Sequence, residues 1–423
     1  MQIHVEKFGG ASINSAKAIR NVVDILNAEP KKRVVVVSAM GKTTNALEKL
    51  VKARFEKRGV DTKTLNWLKD YHFGIIDELF GDSASMIKGY VCSIFDRIET
   101  QLLSDNGEAY DKFYDTVVSC GEELSSRIIS AYLSYKSVEH KFLWAFDFIQ
   151  TDDCFRQANV DWEQSEALIN QYVAVALQNY DLVLTQGYIG GTDDGQTKTT
   201  LGREGSDYTA AILSYCLNAV DCTIWKDVEG LLNADPKRMA TTTKLNAIPY
   251  QEAIELAYYG ATIIHPKTIK PLENRSIPLY VKSFSNPQQS GSCICHCDDM
   301  SPLVPSYIFK DNQVLLSLLP RDFSFIAEQN ISAIFAILAQ HNVKVNLMQN
   351  SAISLSVCFD DCEVLKPLIK SLQVYYKVHY NRNLQLITVR HYSEQAISEV
   401  VSEPLIMVEQ RSRVTAQFLV RTE

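Results

Sequence analysis

No apolar run in this sequence reaches the roughly 20 residues that a membrane-spanning helix needs, which excludes a protein built on such helices. Basic charge is also short. Lys and Arg number 42 against 50 Asp and Glu, for a net charge of −8, which argues against a nucleic acid held by overall electrostatics. No leader pattern is visible either: Met1 is followed at once by Gln2-Ile3-His4-Val5-Glu6, a polar-apolar strand pattern unlike a signal or transit peptide. A cytoplasmic protein with reduced thiols is expected. The ten cysteines fall mostly in apolar segments, as core thiols do. One cluster, Cys293, Cys295, His296 and Cys297, lacks both the C-x2-C spacing and the second half of a zinc site, and its alternation fits a strand. Gly41-Lys42-Thr43 imitates the end of a phosphate-binding loop, but the glycine required five residues earlier is Val36, so that reading fails on spacing.

What is present reads as an α/β protein. At 423 residues the chain has room for about two or three domains. Four consecutive valines, Val34 to Val37, indicate a strand buried on both faces, hence a mostly parallel sheet covered by helices. Strand and helix patterns alternate from there to about residue 290, with a mainly helical stretch over 52–149. Ser119-Cys120-Gly121-Glu122 has the form of a capping box, with Ser119 as the cap and Glu122 reaching back. His265, before Pro266, reads as a turn residue. A boundary rich in Ser, Pro, Asn and Gln covers 285–305. Beyond it, strands at 314–318, 343–348 and 352–359 and helices at 331–341 and 364–372 follow the ferredoxin-like order. A second, shorter set occupies 386–423. Two small sandwiches in tandem suggest a regulatory pair with exposed sheet edges.

The most informative stretch runs from Leu184 to Thr209. An apolar strand ends, glycines 187, 190, 191 and 195 punctuate a loop, and Leu201-Gly202-Arg203-Glu204-Gly205-Ser206-Asp207 opens a helix. Free N–H groups and the helix dipole at such a point favour an anion. Arg203 adds a fork for a carboxylate or phosphate, and Asp207 an acceptor for an ammonium or a metal-bound phosphate. Ser206 or Gly205 could equally just cap the helix. Lys7, before Gly9 and Gly10 at a strand end, could bridge donor and acceptor phosphate oxygens. The long polar loop from Lys226 lies at a strand end, where α/β folds place ligands. Together these describe a kinase acting on a carboxylate, which needs no general base because its nucleophile is already ionised.

In Lys7-Phe8-Gly9-Gly10 and in residues 38–45, 119–125, 185–211, 225–237 and 260–266 the chain resembles the aspartate kinase branch of the amino acid kinase family. The segments occur in the family's order and cover most of 1–290. The resemblance implies an amino-acid-kinase-like catalytic domain over 1–290, an ACT domain over 306–385 and a shortened ACT-like unit over 386–423. It implies ATP and L-aspartate as substrates, 4-phospho-L-aspartate as product, and a place at the first step toward lysine, threonine and methionine. By motif, Lys7 would stabilise the transferring phosphoryl group, with Gly9 and Gly10 at the phosphates. Thr44, Glu122, Tyr188, Arg203 and Ser206 would line the aspartate pocket, and Asp207 would hold the substrate ammonium or orient the site. Lys226, Asp227, Leu232, Lys237 and Thr262 would approach the nucleotide, and Mg2+ would come with ATP, held largely by phosphates and water. A homodimer or larger homo-oligomer through the ACT domains is expected.

The chain departs from the family pattern at Ala11 (usually threonine), Glu204 (frequently glycine), Thr262 (usually lysine) and Lys226 (more usually threonine). In the regulatory part Asn346 replaces an aspartate of the lysine-sensing type, and Asn350-Ser351-Ala352 replaces Thr-Ser-Glu. That leaves a cationic effector without its counter-charges. The alternatives are another kinase of the superfamily, acting on glutamate or acetylglutamate, and an amino-acid sensor whose kinase site has degenerated.

Overall fold

The computed structural model describes residues 2–421 apart from 105–106, 194, 196, 262–263, 323 and 402–404. The chain divides into two compact units. One comprises Met1–Leu231, Lys244–Ile254 and Ile263–Pro302; the other comprises Leu232–Thr243, Glu255–Thr262 and Leu303–Glu423.

The first unit is built on strands β1 (Ile3–Phe8), β2 (Lys32–Val37), β3 (Lys141–Phe142), β4 (Leu182–Gln186), the short hairpin β5 (Ile189–Gly191) and β6 (Lys198–Thr200), then β7 (Asp221–Lys226), β8 (Ala247–Pro249), β9 (Leu279–Ser283) and β10 (Ser292–Cys295). Eight of them form one sheet in the order β8-β10-β9-β7-β1-β2-β4-β3. Every pairing in it is parallel except β9 with β10. The valine run of β2 is fully buried between β1 and β4, because helices close both faces of a parallel sheet and leave no polar side. The alternating cysteines do form strand β10 and its exit.

Helix α1 (Ala16–Ala28) starts where Ser15 Oγ accepts from Ala18 N–H at 3.2 Å. Helices α2 (Thr43–Phe55), α3 (Thr62–Phe80), α4 (Ser85–Leu103), α5 (Tyr110–Val118) and α6 (Cys120–Tyr135) form the helical block expected over 52–149. Their apolar stripes join β2 and β4 in one core that includes Leu47, Leu68, Phe95, Phe113 and Leu124. The capping box is corrected here. Ser119 lies between α5 and α6 with helical dihedrals (φ −59°, ψ −22°) and caps nothing with its side chain; its hydroxyl donates to Thr116 O at 3.3 Å. A cap needs extended backbone, and two nearly continuous helices deny it. Helix α7 (Gly205–Cys216) presents Ala210 and Ala211, both fully buried. His265 accepts from Lys267 N–H and so caps α8 (Pro266–Asn274), the turn role expected of it.

The second unit contains β11 (Ser306–Pro320), α9 (Glu328–Gln340), β12 (Val345–Asn350), β13 (Leu355–Asp360), α10 (Leu365–Gln373), β14 (Tyr376–Arg390), β15 (Ile406–Arg411) and β16 (Thr415–Arg421). The first six follow the ferredoxin-like βαββαβ order. Val314, Leu316 and Leu318, alternating on β11, pack with Ile334, Leu338 and Leu368 of the helices. The two expected small sheets are one antiparallel sheet, in the order β12-β13-β11-β14-β16-β15. Strands β11 and β14 are each 15 residues long and pair along both halves. Polar residues such as Lys310 to Gln313 interrupt the apolar pattern at the register shift, which makes each long strand read as a shorter one.

Candidate active site

Strands β1, β2, β4 and β7 are parallel neighbours, so their carboxyl ends share one edge of the sheet. There Gly9-Gly10, Ser38 to Gly41, Gly187-Tyr188 and Lys226 leave the sheet, and the loop before α7 meets them. A cavity of about 540 Å³ opens at this edge, where open α/β sheets bind ligands. Small residues let the loops close on one another. A Cβ on Gly10 would lie 2.8 Å from Ala39 O, and one on Gly187 would strike Ser206.

Lys7 sits on β1 opposite Val36 and Ile224 and is buried. Its Nζ lies 2.5 Å from Asp207 Oδ1 in an ion pair, and Lys226 Nζ lies 3.4 Å from Asp207 Oδ2. Burial pushes the Asp207 carboxyl up, but Lys7 and Lys226 outweigh it and hold the group below the usual carboxylate range. Glu122, on the first turn of α6, has the opposite balance. Burial pushes its pKa up to about 8, with only partial relief from the Ala39 N–H and from Lys7. Its Oε1 accepts from Ala39 N–H at 3.2 Å, while Oε2 is buried without a hydrogen-bond partner.

Glu204 precedes α7 in the left-handed region (φ 55°, ψ 27°). Tyr188 is also left-handed, at φ 70°, and burial pushes its phenol up to about 12. Arg203, exposed, lines the cavity together with Ser206 and with Thr44 of α2. Asp115, fully buried on α5, ties two parts of this wall together. It accepts from Arg156 N–H at 2.9 Å, from Thr200 N–H at 2.8 Å and from the Thr200 hydroxyl at 2.6 Å.

A cavity with paired lysines at strand ends, an exposed guanidinium and a helix N-terminus can hold a polyanion and a small zwitterion together. The comparisons with known proteins agree with that chemistry. Residues 2–283 match the model of the amino acid kinase family.

The chain belongs to the amino acid kinase family.

Its relatives include aspartokinases. The lysine-sensitive aspartokinase 3 of Escherichia coli is 30% identical over 405 residues, covering 92% of this chain and 87% of that one. Aspartokinase 1, chloroplastic, of Arabidopsis thaliana is 32% identical over 377 residues, covering 84% of this chain and 63% of that one. The crystal structure of E. coli aspartokinase III in complex with aspartate and ADP superposes with a TM-score of 0.84 at 26% identity, over 99% of this chain and 96% of that one.

Of the amino acid kinase residues expected from sequence, Lys7, Gly10, Thr44, Glu122, Tyr188, Arg203, Ser206, Asp207 and Lys226 all line the one cavity. Gly9 adjoins it, since a Cβ there would lie 3.3 Å from Lys7 Nζ. Asp227 is exposed just beyond Lys226 and is not among the lining residues. Leu232 and Lys237 belong to the second unit, and Thr262 lies outside the described residues. Sequence reasoning missed Glu48, Tyr114, Arg156 and Gln157 as lining residues. Tyr114 donates to Glu48 Oε1 at 2.5 Å, and Arg156 reaches Asp111 at 2.9 Å. They come from helices and a loop with no motif of their own. Among the described residues no group of three or more His, Cys, Asp and Glu side chains could hold a metal ion.

Proposed function

We propose that this chain is an ATP-dependent aspartate kinase, transferring the terminal phosphoryl group of ATP to the side-chain carboxylate of L-aspartate to give 4-phospho-L-aspartate. The observation that carries the reading is the Lys7–Asp207–Lys226 cluster lining one cavity with Glu122 and Arg203. Phosphoryl transfer of this kind is chiefly positioning and charge neutralisation. Lys7 bridges the transferring phosphoryl oxygens and Gly9 and Gly10 admit the phosphates. Asp207 holds the two lysines in place, an orienting role, since its charge is already engaged. Arg203 takes the substrate α-carboxylate and Glu122 the ammonium, with Thr44, Tyr188 and Ser206 shaping the pocket. Lys226 serves the nucleotide, with Asp227 next to it in the chain.

Mg2+ would come with ATP, held largely by phosphates and water. Its contribution is to neutralise phosphate charge. The protein works in the cytoplasm, and among the described residues no helix is long and apolar enough to cross a membrane. Residues 306–385 and 386–423 act as ACT units that join copies of the chain through exposed sheet edges, which sedimentation would test. The product feeds lysine, threonine and methionine synthesis, with amino-acid feedback through the ACT region, where Asn346 in place of an aspartate deprives a cationic effector of one counter-charge. Asn346 Oδ1 already accepts from Lys310 Nζ at 2.8 Å, and its amide donates to Gln313 Oε1 at 2.8 Å.

The test is purified protein with magnesium-ATP and L-aspartate, trapping the acyl phosphate with hydroxylamine, beside a parallel reaction with glutamate. Aspartate-dependent hydroxamate is the expected result. A folded, ATP-binding protein that makes none would sink the reading, and hydroxamate from glutamate alone would move it to a sister enzyme.

A further inference from the structure

Glu204 occupies a backbone position that glycine would fill without strain. Its dihedrals (φ 55°, ψ 27°) are left-handed, a conformation that L-residues with long side chains adopt rarely and at a cost. The backbone there only starts a helix: Glu204 O accepts from Asp207 N–H at 3.0 Å and from Tyr208 N–H at 3.1 Å. Glycine would do this equally well. The side chain does not cap the helix, so neither local structure nor capping accounts for a glutamate. What remains is the cavity, which Glu204 lines, and its Oε2 is buried there without a hydrogen-bond partner.

The other carboxylates of the cavity narrow the role. Glu48 is engaged by the Tyr114 hydroxyl at 2.5 Å. Asp207 is neutralised by Lys7 and Lys226. Glu122, only 3% exposed, has an unpartnered Oε2 like that of Glu204. A buried acceptor oxygen left without a donor is costly, so two of them in one cavity are a site waiting for a donor. Among the described residues no protein donor hydrogen-bonds either oxygen, so the donor comes with the ligand.

We infer that Glu204 is a specificity-determining residue: together with Glu122 it accepts the α-ammonium of the amino-acid substrate and selects for that group. The inference rests on the aspartate kinase reading for the identity of the ligand. It goes beyond that reading by assigning a second ammonium acceptor at a strained position.

The test measures L-aspartate binding by titration calorimetry to the full chain, to Glu204→Gly and to Glu204→Gln. Succinate, which lacks the ammonium, is the control ligand, and thermal melts are run on each variant. Relief of strain should raise the melting temperature of Glu204→Gly by about 1–3 °C, while its affinity for L-aspartate falls about tenfold. Glu204→Gln should bind L-aspartate more weakly without gaining stability. Succinate binding should not weaken in either variant. A purely structural role predicts the stability gain with unchanged aspartate affinity, and that result overturns the inference, as does equal weakening for succinate. If Glu204→Gly does not fold, Glu204→Gln alone decides. Selective loss of aspartate affinity in a protein that forms no aspartyl hydroxamate would break the kinase reading and leave the role of Glu204 standing.

Discussion

One cavity has two kinds of wall. At the ends of β1 and β7, Lys7 and Lys226 share the single carboxylate of Asp207, so its charge is answered and the three groups together keep one net positive charge for a phosphate. On α6 and the loop before α7, Glu122 and Glu204 each keep an oxygen without a donor. The carboxylate of the first wall is answered in the absence of ligand, and those of the second only by one. Preorganised charge suits the reacting phosphoryl group, whose stabilisation must cost no rearrangement at the moment of transfer. Unsatisfied acceptors suit a substrate that should be bound only when it brings the matching donor, because a ligand lacking it leaves them buried and unpaired.

The comparison can be broken most decisively at Lys7. Lys7→Ala should lower turnover by about 10²–10³-fold while the protein stays folded, as judged by circular dichroism and the hydroxamate assay. Turnover near that of the parent would remove Lys7 from the first wall. The next largest effect concerns Asp207. Removing it leaves two lysines facing each other in a buried place, which should cost about 3–5 kcal/mol of stability, measured by urea unfolding of Asp207→Ala. The sign with pH also follows. A carboxyl held below its ordinary 3.8 contributes stability that is present above that value and lost as pH falls through the lower folded value. The parent should therefore show an acid-dependent loss that Asp207→Ala lacks.

Glu122 tests the other wall. With its pKa near 8, it carries a proton in the empty cavity below that pH and must lose it to accept an ammonium. Affinity for L-aspartate should rise with pH between about 6 and 8, by at most about tenfold per unit, and then level off. A pH-independent affinity in Glu122→Gln would sharpen the assignment, whereas an unchanged slope would end it. The smallest effect lies outside the cavity. L-lysine should leave turnover within about twofold of the uninhibited value, because Lys310 already supplies the cation at Asn346. Strong inhibition in the hydroxamate assay would show that the Asn346 network opens to a ligand.

Much of the fold was readable from local pattern. The valine run announced a buried parallel strand, and the alternation of strand and helix announced the sheet and its covering layers. Failures came where one tertiary fact overrode a local rule. Ser119 and Glu122 have the spacing of a capping box, but continuity between α5 and α6 removes the cap and frees Glu122 for the Ala39 N–H. Strands β11 and β14 read short because their middles are polar, yet each runs 15 residues through a shared sheet. In the site, motif residues at strand ends were legible because glycine and charge cluster there. Arg156 and Tyr114 were not, because nothing in their local sequence differs from a solvated surface.

The sequence by itself determined which chemistry is available: a lysine and two glycines at one strand end, an arginine and an aspartate at a helix start, and buried valines that require a covered parallel sheet. These are local properties of residue type and spacing. Only the tertiary structure decided which charges meet. Lys7 and Asp207 are 200 residues apart in sequence and 2.5 Å apart in space. Glu122 receives its raised pKa from burial that no neighbouring residue in the chain imposes. Pairing and desolvation depend on what the fold brings alongside a group, and so they divided the carboxylates of one cavity into those already answered and those left for a ligand.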